Sequence, residues 1–82
     1  MGTTNETVDT DWAEVLAGPT TDAGTISPVS AGIQIAILSS TPASNFIGFN
    51  VYKNSSYNFA LASGESLYAK SLLGTVIVVI NS

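Results

Sequence analysis

Leu67-Tyr68-Ala69-Lys70-Ser71-Leu72-Leu73-Gly74-Thr75-Val76-Ile77-Val78-Val79-Ile80 divides into two extended halves joined by a turn. Residues 67–71 and 75–80 carry the β-branched and aromatic side chains that suit a pleated surface, and Leu72-Leu73-Gly74 supplies the glycine that a tight turn wants. In the second half Val76, Val78 and Ile80 fall on one face, Ile77 and Val79 on the other. A strand apolar on both faces has to be covered on both. An opposing sheet covers one. The Trp12 segment or a neighbouring subunit is expected over Ile77 or Val79.

Working outward, the period of two recurs. Tyr57, Phe59 and Leu61 alternate with Asn58, Ala60 and Ala62 between turn signals at Lys53-Asn54-Ser55-Ser56 and Ser63-Gly64-Glu65-Ser66. Residues 46–53 place Phe49 and Val51 on one face and Asn50 and Tyr52 on the other, after a polar loop broken by Pro42. Ile33, Ile35 and Ile37 share one face of a strand over 33–38. Residues 25–29 read as an edge strand, because Pro28 has no N–H for a central ladder. Short strands with turn signals every eight to twelve residues predict an all-β fold. The expectation is a small antiparallel β-sandwich or barrel of six to seven short strands, with no helix longer than a turn or two.

The first 22 residues read differently. Residues 1 to about 10 are polar and aperiodic, the pattern of a flexible arm. Asp11 can cap a helical turn with Glu14 three residues on and Gly18-Pro19 as its stop, although a short strand fits the same residues. In either form Trp12, with Val15 and Leu16, is a hydrophobic plug that fastens the arm. The division expected is 1–22 as an acidic arm anchored by Trp12 and 23–82 as the β domain.

The net charge of −4 is uneven, since Glu6, Asp9, Asp11, Glu14 and Asp22 lie in a stretch with no Lys or Arg. Those acids repel one another, and the arm is expected either to order only against a partner surface, as an attachment tether, or to serve as a disordered, solubilising tail. Two lysines cannot make the basic stripe that displaces counterions from phosphates, so a nucleic-acid partner is not expected. The longest apolar run, residues 76–80, is far too short for a membrane helix. With no basic n-region and apolar h-region at the start, the chain is expected to stay in the cytoplasm of its producing cell until assembled.

Chemistry has little to work with. Without histidine or cysteine, nucleophilic triads and zinc sites are excluded. The acids fit no EF-hand spacing, no second acid accompanies Glu65 in the β region, and Gly64 and Gly74 stand alone at turns. No enzyme activity, metal or cofactor is therefore expected. Charged residues are 10% of the chain, against about 25% in an ordinary domain, which fits a surface covered by neighbours. A chain this small buries only about 60–65% of its unfolded surface, so a homo-oligomer or a larger partner is expected to supply stability. Exposed Tyr52, Tyr57 or Tyr68 stacking on a receptor or glycan is the alternative use of such a domain.

The ending Tyr57-Asn58-Phe59-Ala60-Leu61-Ala62-Ser63-Gly64-Glu65-Ser66-Leu67-Tyr68-Ala69-Lys70-Ser71, followed by Gly74-Thr75-Val76-Ile77-Val78-Val79, resembles the close of short tailed-bacteriophage virion proteins. Trp12-Ala13-Glu14-Val15 resembles their opening. Residues 43–50 depart from the pattern by lacking its run of turn glycines. The resemblance covers about half the chain and implies a structural β-sandwich of the capsid-decoration, head-fibre or tail-associated kind. It further implies noncovalent assembly on capsid or other virion proteins, with the virion as its location. The interface residues expected on this view are Trp12, Val15, Leu16, Ile77 and Val79.

Overall fold

The computed structural model describes residues 3–18, 24–43 and 45–81. They form eight strands and no helix: β1 (Thr3–Val8), β2 (Ala13–Ala17), β3 (Gly24–Pro28), β4 (Ile33–Leu38), β5 (Phe49–Val51), β6 (Tyr57–Phe59), β7 (Ser66–Ser71) and β8 (Val76–Asn81). Two four-stranded antiparallel sheets result, one ordered β1-β8-β3-β6 and the other β2-β7-β4-β5. The sheets face each other as a sandwich and do not close into a barrel. First pairs with eighth, second with seventh, third with sixth and fourth with fifth. This is one long hairpin rolled onto itself, the connectivity of a jelly roll.

The rolled hairpin sorts the loops. Those joining β1 to β2, β3 to β4, β5 to β6 and β7 to β8 gather at one end, and the loop joining β4 to β5 lies at the other. Inside, Val8, Val76, Val78, Ile80, Ile26 and Phe59 from the first sheet meet Ile33, Ile35, Val51, Leu67 and Ala69 from the second. The period of two is thus met in both layers. Turns take their sequence-marked places: Gly64 and Gly74 have φ of 86° and 65°, and Glu65 accepts the Ala62 N–H on Oε1 at 2.8 Å. Asn54, in the third turn, also has positive φ.

Three expectations need correction. There are eight strands, not six to seven, because residues 3–8 and 13–17 of the expected arm are themselves strands of the sandwich. Strand β1 pairs with β8 along its whole length, Thr3 opposite Asn81 through Val8 opposite Val76, and Val8 is fully buried. Its exposed Thr and Asn side chains hide no period, but its backbone completes one edge of β8, and β-branched threonines suit that role. The segment after Trp12 resolves to a strand rather than a helical turn, with a bulge between Glu14 and Leu16 where it pairs with β7. Met1 and Gly2 at the start of the expected arm, Pro19, Thr20, Thr21 and Asp22 at its end, and Ala23 after it lie outside the described residues.

Third, the strand containing Pro28 is not an edge strand. It sits between β8 and β6. Along a strand, the N–H and C=O of successive residues point to alternate edges. The Val29 N–H donates to the Ile77 carbonyl on β8 at 2.9 Å, so the Pro28 nitrogen faces the β6 side. There the pairing has already ended at Ile26. Proline occupies a central strand because its missing donor falls where no partner strand runs.

Candidate functional site

Among the described residues three apolar surfaces remain open on this sandwich. The first lies where β4 outruns β5, which pairs only with Ile33, Gln34 and Ile35. Beyond that point the segment 46–49 bends away and leaves a shallow groove of about 370 Å³ along Ala36, Ile37 and Leu38. Phe46, Ile47 and Phe49 form its far wall, and Ile47 is 82% exposed. A smaller recess of about 150 Å³ runs from the same strand toward Phe49 and Tyr57, whose rings close the sandwich edge at 5.0 Å. Gly48 holds the bend. Its N–H donates to Gln34 Oε1 at 3.3 Å, and a Cβ there would stand 2.4 Å from the Ile35 carbonyl oxygen.

Beneath this groove lies the Trp12 cluster. Trp12 is buried on the outer face of the second sheet with Ala36 and Tyr68, flanked by Leu38. Phe46 meets the indole edge-on at 6.0 Å, and Lys70 Nζ lies 5.2 Å from its ring centroid. The tryptophan thus fastens its own segment to the domain and props the groove wall.

The second surface is the loop end. Leu72 and Leu73 project from the β7–β8 turn, with Leu73 81% exposed, and Leu72 leans toward Gly32 and the exposed Tyr52. The turn itself is braced. Ser71 Oγ donates to the Gly74 carbonyl, the Ser71 N–H donates to the Asp9 carbonyl at 2.7 Å, and Thr75 Oγ1 donates to Asp9 Oδ1 at 2.9 Å. A rigid tip that presents two leucines to water is an arrangement for contact. The third surface is the outer face of the first sheet, where Ile77 is 47% exposed and Val79 half-buried, with exposed Val29 beside them.

The five expected interface residues therefore separate. Trp12 is internal, Val15 and Leu16 pack partly against the main core, and Ile77 and Val79 lie on the opposite sheet's outer face. The Trp12 segment does not cover Ile77. The three tyrosines do not converge either: Tyr68 is buried under Trp12, Tyr57 is half-covered by Phe49, and Tyr52 stands at the loop end. Sequence reasoning missed Phe46, Ile47, Leu72 and Leu73. Their signal was present, since adjacent large apolar residues in a turn or loop cannot all point inward.

Among the described residues no three carboxylates gather as a metal-ion site. Asp9 is engaged by the β7–β8 turn, Glu65 by its own turn, and Glu14 lies opposite Tyr68 on β2. No helix of the described residues is long and apolar enough to cross a membrane. No family model, curated protein or solved structure matches the chain.

Proposed function

We propose that this chain is a non-catalytic assembly module, a structural subunit of a bacteriophage particle of the capsid-decoration type, held by noncovalent contacts. The observation that carries the reading is the surface. Large apolar side chains stand open at the groove, the loop end and the outer sheet face of a domain with only eight charged residues, two Lys plus Arg and six Asp plus Glu. A free-standing domain in water gains nothing from such exposure, whereas a subunit that attaches by burying it does. The resemblance of the C-terminal hairpin to virion proteins points the same way. Jelly rolls serve as viral capsid and lectin domains, which is support by analogy of fold. The lectin-like alternative is weaker here, because Tyr68 is withdrawn into the Trp12 cluster.

Mass spectrometry of purified particles tests this directly. The chain should be present in many copies, in fixed ratio to the major capsid protein. Ile47→Asp and Leu73→Asp should leave the thermal transition within a few degrees of the parent, since both residues are already in water, and at least one should strip the chain from particles. Particles without the chain, or full occupancy by both variants, would overturn the proposal.

A further inference from the structure

A two-sheet sandwich has four edge strands, here β1, β6, β2 and β5. Unpaired edges invite other strands, and proteins blunt them by shortness, bulges, proline, charged side chains or covering loops. Strands β5 and β6 have three residues each, and β2 is broken by its bulge. The free half of β4 is overhung by the 46–48 segment that walls the groove. Strand β1 is different. It runs six residues with no bulge or proline and a single charge, Glu6, and Thr3, Thr4, Asn5, Glu6 and Thr7 are all exposed.

Which backbone groups face outward on β1 follows from the ladder. The Ile77 carbonyl points to β3, so by alternation Val76, Val78 and Ile80 address β1. Their partners Val8, Glu6 and Thr4 bond inward. Thr3, Asn5 and Thr7 therefore aim their N–H and C=O groups at the open edge. From this we infer that β1 pairs with β1 of a second copy across a two-fold axis centred on Asn5, joining the two first sheets into one.

The register is fixed by self-complementarity. Centring on Asn5 sets Asn5 against Asn5 of the second copy and Thr3 against Thr7, so every outward donor and acceptor on both strands is used. Facing threonines are favourable cross-strand neighbours. On the inner row Thr4 meets Glu6. A centre on Glu6 would oppose two carboxylates, and one on Thr7 would oppose Glu6 to buried Val8; both are disfavoured. A centre on Thr4 would leave the outward groups of Thr7 without a partner within β1, so Glu6 and the length of the strand together select the register. There is also room, because Thr4 and Glu6 share a face with buried Val8 yet remain exposed, so the second sheet does not cover them.

This dimer uses a surface separate from the groove and the loop end, and stands whether or not the chain belongs to a particle. Sedimentation equilibrium of the isolated protein should show a mass that doubles with rising concentration. Asn5→Pro removes an outward N–H that no other described residue uses, so it should keep the β-sheet circular dichroism and abolish the dimer. Because the chain has no cysteine, a single introduced thiol reads the register. Asn5→Cys places Cα atoms about 5.5 Å apart across the axis, within disulfide reach, and should cross-link on mild oxidation. Thr4→Cys places them about 8 Å apart and should not. A parent monomeric up to millimolar concentration, a dimeric Asn5→Pro, or equal cross-linking of both thiol variants would overturn the inference.

Discussion

Trp12 carries a contradiction within one side chain: its rings are packed on Ala36, Tyr68 and Leu38, while among the described residues its indole N–H is buried without a hydrogen-bond partner. Truncation and donor removal should therefore separate. Trp12→Ala deletes the whole plug and should cost about 3 kcal/mol or more. Trp12→Phe keeps one ring and removes a donor whose burial costs about 1–3 kcal/mol, offsetting the lost contact, so it should stay within about 1 kcal/mol of the parent. Urea denaturation of both variants checks this, and equal losses would mean that the indole nitrogen has a partner. That Trp12 is a plug was legible from its apolar company. The face it plugs was not, because alternation in residues 33–38 marks Ile33, Ile35 and Ile37 as core and leaves Ala36 and Leu38 on the face that reads as solvent.

Strand β1 shows how an element can be invisible to side-chain pattern and still be fixed by the backbone. Val8 is its single buried residue, and the remainder is held by a ladder to β8, at the far end of the sequence, in which Thr3 meets Asn81 and Val8 meets Val76. Nothing local announces such a partner. Strand β8, by contrast, was legible because it alternates one buried face along its length, and β4 and β7 because Ile33 and Ile35, and Leu67 and Ala69, keep that period even where Ala36 and Tyr68 are buried on the other face; Pro28 misled because its rule concerns one edge of a strand at a time. The ladder predicts an alternating exchange pattern. Amides of Thr4, Glu6 and Val8 should exchange slowly with solvent deuterium, while those of Asn5 and Thr7 exchange fast in dilute protein and slow as concentration rises. Uniformly fast exchange over residues 3–8 would instead restore a mobile arm. Alternation that ignores concentration would keep β1 in the sheet and remove its second-copy partner.

At the scale of the whole molecule, the jelly roll explains why a fold class was readable and its winding was not. Short alternating strands imply two facing sheets, but pairing first with eighth and second with seventh is decided by contacts far apart in sequence, which no local spacing encodes. The winding also leaves the chain with a small core, drawn from side chains such as Ile26, Ile33, Leu67, Val76, Val78 and Ile80. With so little interior, association should contribute visibly to stability. If folded chains are dimers and unfolded chains are single, each tenfold rise in concentration above the dissociation constant favours the folded state by about 0.7 kcal/mol per chain, half of the 1.4 kcal/mol that a tenfold change represents. For a domain of this size 1 kcal/mol moves the midpoint by about 4–8 °C. Thermal melts followed by circular dichroism should therefore shift upward by about 3–5 °C per decade for the parent and stay fixed for Asn5→Pro. A parent midpoint that is constant across two decades would show that β1 remains unpaired in solution and that the isolated sandwich supports itself.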